Sequence, residues 1–158
     1  YFKYSKAIKK FVKQHDTKII FEPGRSIIGD TAVLVSKVIY LKESYSKTFV
    51  ILDAAMNDMM RPALYGAKHQ ILPVSKIKTK KSSNYEFVGP ICETTDKFLS
   101  SKNFQKLNEG DLIFLCDVGA YGSSLSSNYN LRPKPPEILV NKSQIKILKK
   151  RQKLENII

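Results

Sequence analysis

Long hydrophobic runs are missing from this chain. No stretch of its 158 residues approaches the length of a membrane-spanning helix, and no signal-peptide pattern is present, so a membrane partner is not expected. Cysteine is scarce as well. Cys92 and Cys116 stand far apart, in neither metal-ligand spacing nor a disulfide framework. A metal is therefore not expected, and a reducing, cytoplasmic setting is. Acidic residues are few: 14 against 27 basic ones, for a formal net charge of +13. Such an excess attracts polyanions. Yet the lysines are dispersed, and no basic stretch is interleaved with aromatics as a base-stacking platform would be. A nucleic-acid partner is not expected, whereas a surface that draws in anionic substrates and phosphate cofactors is. Internal repeats are absent, and the length suits one domain or pieces of two. The first residue is Tyr1, not Met, which reads as a fragment or a processed chain.

What is present falls into two regions. Residues 1–16 predict a helix, with Ala7, Ile8, Phe11 and Val12 on one face and lysines opposite. Lys18-Ile19-Ile20-Phe21 reads as a short buried strand. A helix followed by such a strand is what an α/β barrel supplies, and functional residues in those barrels sit just past the strand ends. Residues 1–31 are thus expected to be the last helix-strand segment of an α/β barrel. From residue 32 to 158 short β-branched runs predominate, predicting a mainly β, largely antiparallel domain of Greek-key or barrel-like form. Its expected strands are Val33 to Leu41, Phe49 to Leu52, Ile71 to Val74, Tyr85 to Ile91, Leu112 to Cys116, and a final pair, Glu137 to Val140 with Ile145 to Leu148, turning at Asn141-Lys142. A short helix over Asp58 to Leu64, broken at Pro62, a solvated loop from Lys76 to Asn84 and a terminal helix over 150–158 complete the expectation. Cys116, inside an apolar strand, reads as core.

Four stretches carry unusual polar residues at expected strand ends: Glu22-Pro23-Gly24-Arg25, Asn57 to Tyr65, Cys92-Glu93-Thr94-Thr95-Asp96, and Gly119-Ala120-Tyr121-Gly122. Gly24 has no side chain to keep its amide from an anion. Arg25 suits bidentate capture of a phosphate or carboxylate. Cys92 places a thiol beside a carboxylate, and a thiol with an unperturbed pKa of about 8.5 is a proton donor near neutrality. Each stretch has a bland alternative: a polar turn at 22–25, and a small buried cysteine beside a solvated Glu93.

Taken together and in this order, the four stretches resemble the pyridoxal-phosphate decarboxylases of the alanine-racemase-like fold. The resemblance covers the whole chain but only the C-terminal part of the family protein. Glu22-Pro23-Gly24-Arg25 is similar to a motif of the wider group. Asn57 to Tyr65, Gly119 to Gly122, Ser127-Asn128-Tyr129-Asn130 and Arg132-Pro133 resemble the diaminopimelate decarboxylase branch. One departure is Thr95, where that branch usually has glycine. The resemblance implies pyridoxal 5'-phosphate as cofactor, with Glu22 at its ring nitrogen, Gly24 and Arg25 beside it, and Tyr121 on its phosphate side. It implies meso-diaminopimelate as substrate, gripped by Arg25, Arg61, Tyr65, Glu93 and Tyr121, with Cys92 as the proton donor. It further implies a homodimer in which Cys92 and Glu93 serve the other subunit's site. The lysine that bonds covalently to the cofactor would lie upstream of Tyr1, so the chain alone would not be a complete enzyme. Two alternatives stay open: a decarboxylase of the same fold acting on ornithine or arginine, and a non-catalytic basic β module for dimerisation or polyanion binding.

Overall fold

The computed structural model describes residues 2–75 and 82–158. Helix α1, Phe2–His15, forms as its periodicity dictates, though none of its residues is fully buried and only Ile8 and Val12 are half-buried. The next expectation fails. Lys18 to Phe21 forms no strand, and Ile20 is 77% exposed. A strand exists only through hydrogen bonds to a neighbour, and no described segment pairs with this one. Phe21 instead meets Tyr4 of α1 edge to face, with ring centroids 6.1 Å apart. Helix α2, Arg25–Ile28, follows and runs into a single 3-10 turn, Gly29–Thr31.

From residue 34 the chain is mainly β. Strands β1 (Leu34–Glu43), β2 (Thr48–Leu52), β3 (Ile71–Pro73), β4 (Ser82–Val88), β5 (Lys97–Gln105) and β6 (Leu112–Leu115) form one sheet. Its order is β3-β6-β1-β2-β4-β5, and it curls into a nearly closed barrel. Neighbours are antiparallel except β2 and β4, which run parallel from Thr48 opposite Tyr85 to Ile51 opposite Val88. Pro73 is tolerated because β3 is an edge strand, where a missing N–H costs no ladder bond. Alternate residues point inward, so that Val38, Val50, Leu52, Phe87, Ile113 and Leu115 are completely buried. Ser82 to Asn84 extend β4 and are not loop; the remainder of the expected lysine-rich loop lies outside the described residues.

Other boundaries shift for physical reasons. Helix α3 is Arg61–Tyr65, and Pro62 stands in its first turn. Proline starts this helix and does not break it, because an N–H there would have no helical partner. Gly66, at φ 62°, closes α3 in the left-handed conformation. The final hairpin, β7 (Glu137–Asn141) with β8 (Gln144–Lys149), turns one residue later than expected, at Lys142-Ser143. The terminal segment holds only a 3-10 turn, Leu154–Asn156, since so short a helix cannot repay its nucleation. Cys116 lies just past β6 and is half-buried, not core.

Topology decides where the functional stretches meet. Because β6 and β2 are both antiparallel to β1, and β4 is parallel to β2, the C-terminal ends of β2, β4 and β6 lie at one end of the sheet, beside the start of β1. Residues 22–33 lead into that start. The segments after β2, β4 and β6 hold Asn57 to Tyr65, Cys92 to Asp96 and Gly119 to Gly122. All four stretches therefore gather at the same end.

Candidate active site

Gly119 clamps the last stretch to residues 28–32, which follow the first. A Cβ at this position would stand 1.9 Å from the Ile28 carbonyl oxygen and 2.9 Å from Thr31 Oγ1, so only glycine allows the approach. The Gly119 N–H donates to the Gly29 carbonyl at 3.0 Å, and the Val118 N–H to the Ala32 carbonyl at 3.1 Å. On this loop Asp117 (φ 60°) and Tyr121 (φ 61°) both adopt the left-handed conformation. Such backbone is rare for a non-glycine residue and recurs at functional sites. Tyr121 remains half exposed.

The second stretch is braced from beneath. Asn57 is completely buried; its Nδ2 donates to the Ser127 carbonyl at 3.2 Å, and its Oδ1 accepts from Arg132 Nε at 2.9 Å. Arg132 also donates to the Asp53 carbonyl and lies 3.7 Å from Asp58 Oδ2. Burial pushes the Asp58 carboxyl above its usual range, against the pull of the Ala55 N–H and of Arg132. This network fixes the loop that leads into α3, on which Arg61 is half-buried and Tyr65 exposed. Arg61 Nη1 lies 3.2 Å from Nε2 of His69, a buried residue. Arg25 and Arg61 then line one pocket of about 510 Å³, together with Asp30, Lys68, His69 and Asp117. Two guanidinium groups on one cavity suit a carboxylate or phosphate ligand.

Asp96 shapes the third stretch. It is 2% exposed, and its two carboxylate oxygens accept from the Met56 N–H at 2.7 Å and the Ile91 N–H at 2.8 Å. Burial raises its pKa, and those two amides oppose the rise. Gly89 leaves room for it: a Cβ there would lie 2.2 Å from Asp96 Oδ2. The resulting loop holds Cys92 and Glu93 on the surface. Tyr129 Oη donates to Glu93 Oε1 at 2.6 Å, and this bond raises the Tyr129 pKa.

The single chain thus brings Arg25 and Arg61 to one pocket and, through Gly119, holds the Tyr121 loop against residues 28–32, the turn that follows the first stretch. Glu22, Tyr65, Cys92, Glu93 and Tyr121 do not line that pocket. The structure also sets His69, Asp96, Tyr129 and Arg132 against these stretches; the one sequence signal was the placing of Asp96, Tyr129 and Arg132 within the family-like motifs.

Comparison with known proteins identifies the family. Residues 7–119 match the pyridoxal-dependent decarboxylases, in their C-terminal sheet domain. The chain belongs to that family. Among curated relatives, diaminopimelate decarboxylase of Helicobacter pylori is 42% identical over 154 residues, covering 98% of this chain and 38% of that protein. The Aquifex aeolicus diaminopimelate decarboxylase is 40% identical over 151 residues, covering 96% and 36%. The crystal structure of the Helicobacter pylori enzyme complexed with L-lysine superposes with a TM-score of 0.86 at 41% identity, covering 98% of this chain and 38% of that one. This chain therefore spans well under half the length of the relatives it matches. The family's cofactor suits the residues present. Glu22 offers a carboxylate, Tyr121 a phenol and Gly24 a face with nothing within 4 Å of where a Cβ would stand. The side chains of Glu22, Arg25, Tyr65 and Tyr121 form no hydrogen bond or ion pair with any described residue, so each is available to a ligand.

Proposed function

We propose that this chain is the C-terminal part of a diaminopimelate decarboxylase, which converts meso-2,6-diaminopimelate to L-lysine and CO2 with pyridoxal 5'-phosphate. The observation that carries this reading is the pairing of Arg25 and Arg61 on one pocket in a chain 42% identical to such an enzyme. When bound, the cofactor supplies an electron sink for the carbon that loses CO2. Glu22 would hold its ring nitrogen, and Gly24, Arg25 and Tyr121 its remaining polar groups. Arg25, Arg61 and Tyr65 grip the substrate carboxylate that is retained, and Glu93, oriented by Tyr129, accepts from the distal ammonium. Cys92 Sγ gives its proton to the carbon that has lost CO2. In this reading Cys92 and Glu93 act in the site of a second subunit, so the active enzyme is a homodimer in the cytoplasm. Residues 1–31 belong with the α/β barrel of the whole enzyme and residues 32–158 form its β domain. A product without a carboxylate, such as an ornithine or arginine decarboxylase releases, would leave Arg61 and Tyr65 with nothing to hold.

The test is Arg61→Ala in the full-length enzyme. Removing one partner of a desolvated charge pair costs about 2–5 kcal/mol. The variant should lose that much in kcat/KM for diaminopimelate while keeping its cofactor absorbance. Unchanged kinetics would remove Arg61 from the site and the substrate assignment with it.

A further inference from the structure

We infer that His69 is a positioning residue for substrate recognition, acting through Arg61; this rests on the reading of Arg61 as a ligand for the substrate carboxylate. His69 is 3% exposed, and both ring nitrogens are engaged. Nδ1 lies 2.8 Å from the Cys116 carbonyl oxygen. A carbonyl only accepts, so Nδ1 carries the proton. In the neutral ring Nε2 then has a lone pair, and the group facing it at 3.2 Å is Arg61 Nη1, which only donates. The arrangement specifies one tautomer: Cys116 fixes the ring, and the ring fixes the guanidinium.

The anchor is stiff. Cys116 extends the ladder between β3 and β6, its N–H donating to the Gln70 carbonyl at 2.9 Å. His69 thereby connects the sheet to the first turn of α3, across the bend that Gly66 makes. Arg61 and His69 line the same pocket as Arg25. Arg61 spends one donor on His69 and keeps the rest for a ligand, in an orientation that a long free side chain would not hold. The energetic benefit is entropy already lost before the substrate arrives.

The experiment compares two competitive inhibitors of the full-length holoenzyme: L-lysine, and 1,5-diaminopentane, which is lysine without its carboxylate. The ratio of their inhibition constants reads the carboxylate grip alone. His69→Leu, with cofactor absorbance retained, should shrink that preference for lysine about tenfold. His69→Gln, whose longer amide can still accept from Arg61, should keep most of it. In Arg61→Ala the preference should fall at least as far, and adding His69→Leu should change it no further. A ratio unchanged in Arg61→Ala removes the reading of Arg61 and the inference together. A ratio lost in Arg61→Ala but retained in His69→Leu overturns the inference alone, as does a fully additive double variant. Should His69→Leu fail to fold, His69→Gln is set against His69→Asn, whose shorter amide stops short of Arg61; equal ratios in those two overturn the proposal.

Discussion

Asp96→Asn tests the loop that carries Cys92. The substitution is nearly isosteric and removes a buried charge, so by charge alone it should stabilise. The geometry says otherwise. Both carboxylate oxygens accept from backbone N–H groups, Met56 at 2.7 Å and Ile91 at 2.8 Å. Asparagine has one acceptor and must turn its NH2 toward the other N–H. A hydrogen bond to a charged acceptor contributes about 1.5–3 kcal/mol, and a buried donor left unsatisfied costs about 1–3 kcal/mol. Against this stands the burial that raises the Asp96 pKa, which the two amides already oppose. The loss should win, at about 3 kcal/mol. Urea unfolding of the chain, followed by circular dichroism, measures it. With a slope of about 2 kcal/mol per molar, the midpoint should fall by about 1.5 M. An unmoved or higher midpoint would show that Asp96 does not hold residues 89–96 by its two acceptors.

Gly119→Ala forces a Cβ to within 1.9 Å of a backbone oxygen that cannot yield by rotating a side chain. It should destabilise by about 2–4 kcal/mol from overpacking and the hydrogen bonds lost with it, and weaken cofactor retention in the full-length enzyme; normal retention would separate the two stretches it joins. Glu86 governs part of the acid sensitivity: burial pushes its carboxyl up, but Lys47 and Lys97 more than offset that and hold it below its ordinary 4.5. Its stabilising contribution is present above pH 4.5 and lost as pH falls through the lower folded value, so the stability difference between wild type and Glu86→Gln should vanish in acid and open as pH rises. Asp58 and Asp96, raised above 3.8 by burial, contribute with the opposite sign: the folded state holds more protons there, and stability falls as pH rises above 3.8. The two thiols should react unequally, with exposed Cys92 alkylated before half-buried Cys116, whose pKa is raised by burial and by Asp117. In the full-length enzyme, mixing Cys92→Ala with a variant lacking the cofactor-binding lysine should restore activity through hybrid sites; no rescue under subunit exchange would place both groups in one subunit.

Local chemistry alone made several elements legible. Helix α1 follows from apolar periodicity, and β1, β2 and β6 from runs of β-branched and aliphatic residues that suit a half-buried pleat. The four polar stretches could also be read, because glycine next to arginine, or a thiol next to a carboxylate, is unusual at the end of an apolar run. Strand β5 was not: Lys97–Gln105 is mostly polar on an edge, and its pairing with β4 comes from the partner. Lys18 to Phe21 failed in the other direction, since apolar composition does not supply a neighbouring strand. Pairing is also what assembled the site. Only the parallel alignment of β2 with β4, over residues distant in sequence, and the antiparallel placing of β1 between β2 and β6, turn three loops toward one end. Of the residues that brace these stretches, His69 carries no local signal, and Asp96 and Arg132 only their place within the family-like motifs. His69, Asp96 and Arg132 each find a partner far off in the chain, 47, 40 and 75 positions away, and the closure of the sheet decided those pairings.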